Sequence, residues 1–201
     1  MSDTYLTIQS STEGLFKDKG SKFISFAIPV TNTDEIKEIL KEYRKRFFDA
    51  RHVCYAYILG HERNEFRAND DGEPSGTAGR PILGQINSRE LTNVLVIVVR
   101  YFGGILLGTS GLINAYKEAA AEALNEAKIV EKIILQKLTF EFEYIRMNEV
   151  MRVIKETGAT VNGQDYDSNC IMTVSIRQQD FDRLREKLVF IRCVIPDNES
   201  D

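Results

Sequence analysis

Histidine occurs only twice and cysteine three times in 201 residues. The three cysteines, Cys54, Cys170 and Cys193, are odd in number, widely spaced and form no Cys-x-x-Cys pair. That pattern excludes a disulfide framework and a cysteine-built zinc site, and reads as reduced thiols of a cytoplasmic protein. The His-x-Glu and Cys-x-x-Cys signatures of a zinc deaminase are missing. So is the Gly-x-Ser-x-Gly elbow of a serine hydrolase. No apolar run is long enough to span a bilayer. The opening Met1-Ser-Asp-Thr-Tyr-Leu lacks a basic stretch followed by an apolar one, so no signal peptide and no membrane role are expected. An excess of positive charge is also lacking. Lys and Arg number 26 against 30 Asp and Glu, a net charge of -4. Division after Ile134 leaves 17 basic and 18 acidic residues before it, and 9 basic and 12 acidic after it. Nucleic-acid binding would therefore need a local patch, because the sequence-independent part of such binding comes from clustered Lys and Arg.

What is present is ordinary globular composition, 43% hydrophobic and 28% charged, in a length suited to one large or two small domains. Residues 22–30 read as a strand closed by Pro29. Residues 33–47 read as a helix capped by Asn32 or Thr33, with Ile36, Ile39, Leu40 and Tyr43 at helical spacing. A strand over 53–59 ends at Gly60, with 65–68 as its hairpin partner. The stretch 69–81 is dense in turn formers and predicts a loop, followed by a short helix over 82–89. The run Val-Leu-Val-Ile-Val-Val within 93–101 predicts a strand covered on both faces. A glycine-rich turn over 103–111 leads into a helix over 112–127. Beyond residue 130 the texture changes to strand 132–144, helix 147–157, strands 160–166 and 170–177 around a turn at 167–169, helix 180–188 and a last strand 190–195. The tail 196–201 is polar and reads as frayed. That order, β-α-β-β-α-β, is the ferredoxin-like split unit.

Candidate chemistry concentrates between Arg51 and Gly111. The spacing Gly103-x-x-x-x-Gly108-Thr109-Ser110 approaches a P-loop, but Thr109 stands where the phosphate-binding lysine is required. A turn that packs a helix onto its sheet explains the glycines equally, and free amides at the helix start would favour an anion. Asp70, Asp71 and Glu73 suit a metal or acid–base work, or a solvated turn with Asx hydrogen bonds. His52 and Cys54 share one face of a predicted strand without further ligating partners. Arg100, at the end of the most apolar strand, is expected either to pair with Asp70, Asp71 or Glu73, or to contact an anion or RNA beside Tyr101 and Phe102. With Arg51, Arg80 and Lys117 it forms the candidate cationic surface.

These residues carry a resemblance. Arg100-Tyr-Phe-Gly103-Gly104-Ile-Leu-Leu-Gly108, preceded by its apolar run, resembles the signature of the YigZ/IMPACT family. The loop Asp70-Asp-Gly-Glu-Pro-Ser-Gly-Thr-Ala-Gly-Arg-Pro81 and the block Lys19-Gly-Ser-Lys-Phe23 are similar to the family's other hallmarks. The resemblance implies an α+β protein of two domains. Residues 1–130 would be like the second domain of small-subunit ribosomal protein five, and residues 135–201 like the ferredoxin-like fifth domain of elongation factor G. It also implies a translation-linked role, for which the expected partner is the ribosome, RNA or a translation factor; from the residues themselves no cofactor or metal is expected. In eukaryotes the family regulates translation by competing for an activator of a starvation-responsive initiation-factor kinase. The alternative is an enzyme acting on a phosphorylated or nucleotide substrate near Arg100–Gly108. Convergence of His52, Asp70, Asp71, Glu73 and Arg100 on one pocket would favour the enzyme.

Overall fold

The computed structural model describes residues 3–166 and 170–195. Its chain divides into two compact units, residues 4–132 and residues 133 onward together with the first three. Both are α+β with antiparallel sheets.

The first unit is built around its most apolar strand. Strands β1 (Thr4–Ile8), β2 (Thr12–Asp18) and β3 (Ser21–Pro29) are followed by helix α1 (Thr33–Arg46). Then come β4 (His52–Leu59), β5 (Glu65–Asn69), helix α2 (Gly79–Ser88), β6 (Val94–Tyr101), helix α3 (Gly108–Asn125) and β7 (Ile129–Ile133). Five of the strands form a sheet in the order β2-β3-β6-β4-β5, every neighbouring pair antiparallel. β6 is the middle strand, and Val94 through Val99 are wholly buried, because each face is covered. Successive side chains alternate between faces. Val94, Val96 and Val98 meet Ile82 and Ile86 of α2 and the small-residue face of α3, Ala115, Ala119, Ala120 and Ala123. Leu95, Ile97 and Val99 meet Ile36, Ile39, Leu40 and Tyr43 of α1. Small residues let α3 lie close to the sheet. At Gly14 of β2, a Cβ would collide with the backbone of Ala123.

Several boundaries differ from the sequence expectation, each for a physical reason. β1 and β2 were not anticipated. β1 is short, pairs with β7 and touches the chain before β6 through a single parallel bridge between Leu6 and Leu91, and β2 is an edge strand whose residues alternate between half-buried and exposed around Gly14. The stretch expected as one strand over 132–144 is two, β7 and β8, which belong largely to different units. α2 starts at Gly79, inside the expected loop, since Pro81 is tolerated in a first helical turn. α3 starts at Gly108 rather than 112.

The second unit contains β8 (Leu135–Phe142), α4 (Met147–Thr157), β9 (Thr160–Tyr166), β10 (Cys170–Arg177) and α5 (Phe181–Phe190). Its sheet order is β8-β10-β9, and Val194 exchanges two backbone hydrogen bonds with Glu141 on the free edge of β8. This is the strand order of the split β-α-β unit with its fourth strand reduced to one bridge. The expected strand over 190–195 is shortened because α5 continues to Phe190. It closes with Arg192 in the left-handed region at φ 60° while Cys193 N–H donates to Leu188 C=O at 3.0 Å, a Schellman-type end. Leu138, Phe140 and Phe142 share one sheet face with Met172, Val174 and Ile176, and that face meets the apolar stripes of α4 and α5. The turn expected at 167–169 and the tail at 196–201 lie outside the described residues. Among the described residues no helix is long and apolar enough to cross a membrane.

Because the first unit has its own two-sided core, a polypeptide ending after Ile134 is expected to unfold in one cooperative transition on heating, followed by circular dichroism. A sloping, non-cooperative melt would refute this.

Candidate functional site

Arg100 and His52 are opposite one another in the β6–β4 register, at the end of the sheet face that carries α2 and α3. Alternation puts Cys54 on the same face as His52. The loop between β5 and α2 then folds over these three side chains. Its organiser is Asp70. Oδ1 accepts N–H groups from Ala78 at 3.0 Å and Gly79 at 2.8 Å, and Oδ2 accepts from Gly76 at 2.8 Å. α2 has no side-chain cap from Ala78, so Asp70 serves its first turn from a distance. Burial works to raise the Asp70 carboxyl, but those amides and the nearby Arg80 outweigh it and hold it below the ordinary carboxylate value.

Asp71 is strained into the left-handed region at φ 44°, a conformation it keeps because three groups fix it. Its carbonyl oxygen lies 2.8 Å from His52 Nδ1. Its carboxylate accepts Val53 N–H at 2.6 Å and Arg44 Nη2 at 2.6 Å. Gly72 follows at φ 85°, packed against the His52 ring. This sharp turn drives Glu73 inward, to 3% side-chain exposure. Glu73 Oε1 accepts from Arg100 Nη1 at 2.6 Å and from the Tyr116 hydroxyl at 2.8 Å, and stands 3.7 Å from His52 Nε2. The Arg100 guanidinium lies between the rings of Phe23 and Phe102, at 5.5 and 5.7 Å, and its Nε is buried without a partner among the described residues. Cys54 Sγ is 3.0 Å from the Asp70 carbonyl oxygen and 3.4 Å from the Tyr116 hydroxyl. Burial pushes both the Cys54 thiol and the Tyr116 phenol far up, with the Glu73 charge adding to each. Both stay protonated.

In front of this ion pair is a cleft of about 430 Å³. Arg51, His52, Glu73 and Arg100 are its polar lining, and Phe102, Leu106, Leu107 and Leu112 its apolar lining. Gly108 and Thr109, in the first turn of α3, also line it. Gly103, next in the chain to Phe102, is backed against Gly20, where any Cβ would collide with the Gly20 carbonyl carbon, and its N–H donates to Ser21 Oγ at 3.2 Å. Beyond it, at Gly104, the backbone turns at φ 89° and lifts Ile105 and Leu106 into solvent, 55% and 84% exposed.

His52, Glu73 and Arg100 thus converge, joined by Arg51, Phe102, Gly108 and Thr109. Asp70 and Asp71 do not line the cleft. They shape the loop behind it. Tyr101 points to the opposite sheet face, packs with the α1-side core and donates its hydroxyl to Asp49 at 2.8 Å. It therefore does not flank Arg100 as a second stacking ring. Ser110, Arg80 and Lys117 are exposed and outside the cleft lining. Tyr116 falls in the helix expected over 112–127 and is not among the candidate residues named from the sequence. A tyrosine in a stripe of alanines is itself a signal, because a buried hydroxyl requires a partner. Among the described residues no three His, Cys, Asp or Glu are grouped to hold a metal.

The fold and site define an α+β protein of two units whose first carries a ligand-sized cleft walled by a buried ion pair. The Impact N-terminal domain model matches residues 19–124, and the chain belongs to the IMPACT family. IMPACT family member YvyE of Bacillus subtilis (strain 168) is 31% identical over 186 residues, 92% of this chain and 86% of that one. IMPACT family member YigZ of Escherichia coli (strain K12) is 31% identical over 160 residues, 79% and 78% of the respective chains. A crystal structure described as that of a hypothetical protein matches over 100% of both chains at 26% identity with a TM-score of 0.77. A structure described as that of the two-domain translational regulator Yih1 matches 59% of this chain and 48% of that one, at 23% identity and a TM-score of 0.39.

Removing either member of the buried pair strands the other charge. Arg100→Ala or Glu73→Ala should each cost about 3–5 kcal/mol in a urea melt. Tyr116→Phe, which removes one donor and keeps the packing, should cost about 1–3 kcal/mol. Equal losses for all three would contradict a charge-centred site.

The Asp70 carboxylate contributes stability above its unfolded-state value and loses it as pH falls through its lower folded value. Asp70→Asn should therefore lower the melting temperature at pH 7, and the gap to the unsubstituted protein should narrow below pH of about 3.9. A gap that stays constant with pH would refute this role.

Proposed function

We propose that the protein is a binding protein of translational regulation, and that the face around this cleft meets the ribosome or its RNA. Family membership brings the translation-linked expectation. One observation carries the choice of binding over chemistry. The groups suited to proton transfer are locked into the cleft wall, and what faces the opening is cationic and apolar. Glu73 Oε1 is occupied by Arg100 and Tyr116, His52 directs Nε2 at Glu73, and Cys54 and Tyr116 are protonated. Arg51 and the tip of loop 102–107 are left open to solvent. An exposed apolar tip beside cationic groups suits a partner surface.

The second reading, an enzyme acting on a phosphorylated substrate, is favoured by the convergence of His52, Glu73 and Arg100 on one concave site. The placement of Asp70 and Asp71 outside that site counts against it.

Ribosome co-sedimentation across a salt series tests the proposal. The protein is expected to pellet with ribosomes at low salt, and Leu106→Asp to reduce the pelleted fraction without lowering the melting temperature. Contacts to three or four phosphates would give a log–log salt slope of about -2 to -3, at about -0.7 for each single-strand phosphate. No association at any salt would refute the proposal, and turnover of a phosphorylated substrate would establish the second reading.

A further inference from the structure

The first turn of α3 opens into the cleft with its amides uncapped. The residue before the helix is Leu107, which offers no side-chain acceptor, and no side-chain hydrogen bond caps this end. The early amides of an 18-residue helix thus lack intrahelical acceptors and carry its positive dipole end. Leu107 is right-handed, at φ -85° and ψ -20°, and Gly108 follows at φ 70°. Consecutive residues of opposite hand turn successive N–H groups toward one point, a concavity suited to an anion.

A second feature points to the same ligand. The Arg100 side chain is 7% exposed and lines the cleft. It gives Nη1 to Glu73, while its Nε is buried without a partner among the described residues. A guanidinium has five donors, and a buried one left unpaired is costly. Arg51 adds an exposed cation to the lining of the same cleft. Against these stands one carboxylate, Glu73, whose Oε1 is already taken. The carboxylates of Asp70 and Asp71 are spent on the loop, each oxygen accepting a protein donor. The apolar wall, with Phe102 45% exposed, offers a surface for the body of a ligand that carries the anion at one end. The cleft volume falls within the range of about 300–1,000 Å³ typical of small-molecule sites.

We propose that this cleft binds a terminal phosphate monoester, held by the α3 amides, Arg51 and Arg100, with an apolar or aromatic body lying along Phe102 and Leu112. The assignment rests on the reading of this face as a binding surface and adds the ligand group it selects. A free nucleoside monophosphate and the 5′ end of an RNA both present that group.

Calorimetric titration of the full chain separates these sources and tests the site. Adenosine 5′-monophosphate should bind at least tenfold more tightly than adenosine, with inorganic phosphate competing. Thr109→Asp puts a carboxylate where the phosphate would sit. Acidic residues near a helix N-terminus stabilise the helix, so the melting temperature should hold or rise while affinity falls at least tenfold. Arg51→Ala should weaken binding severalfold with an unchanged melt. A single-stranded RNA bearing a 5′-phosphate should bind more tightly than the same RNA with a 5′-hydroxyl if RNA ends are the source. Equal binding of both RNAs beside tight binding of the mononucleotide would assign the site to free nucleotides. Equal affinity for adenosine and its monophosphate, or a Thr109→Asp protein that binds like the unsubstituted one, would overturn the proposal. RNA binding that ignores both the 5′ end and Thr109→Asp would overturn it while leaving the ribosome reading intact. Phosphate-selective binding without ribosome association would support it and remove that reading instead.

Discussion

An arginine at the end of a strand of valines needs a counter-charge, and much of the first unit is arranged to supply one. Arg100 is almost wholly buried beside Phe23 and Phe102, and a charge so placed needs the partner that Glu73 supplies. Glu73 arrives only because Asp70 gathers three amides and Asp71 accepts a left-handed backbone. Tyr116 then ties α3 to the same carboxylate. One oxygen atom therefore joins the β5–α2 loop, the end of β6 and the middle of α3. A buried pair of this kind contributes little net stability compared with an apolar replacement, so its use lies in fixing one arrangement of the loop over the sheet.

That arrangement gives the cleft its character. With the acidic groups committed to the wall, the open side is left to Arg51, the α3 amides and apolar side chains. The tight approach of Gly103 to Gly20 fixes the base of loop 102–107, and the exposed Ile105 and Leu106 stand on that base. A rigid root with an apolar tip suits recognition, since little ordering entropy remains to be lost when a partner arrives.

Much of this was legible in the sequence. The Val-Leu-Val-Ile-Val-Val run marked the central strand, because only burial on both faces tolerates such continuity. Asn32 was readable as a helix cap, and its side chain accepts Glu35 N–H at 2.9 Å. Glu73 was one of three carboxylates that could answer Arg100. Choosing among them required knowing that Asp70 and Asp71 were engaged by backbone amides, which spacing cannot show. Tyr101 looked like a stacking neighbour because it is adjacent in sequence, yet strand alternation sends it to the other face. The edge strand β2 escaped notice because an edge needs no continuous apolar pattern, and Gly14 and Lys17 blur the one it has.

The position of β6 in the sheet has a consequence for how the protein is made. β3 and β4 are separated in space by a strand that follows both of them in the chain. During synthesis they leave the ribosome first, with their inner edges unpaired and Phe23, Ala27, Cys54 and Ala56 still in water. The wait lasts until residue 101 has emerged, and translation proceeds at about 5–20 residues per second. Over that interval of seconds the nascent chain presents two unpaired strand edges and no centre to close on, which makes the first half of its own biosynthesis the period of greatest exposure to aggregation and to chaperones.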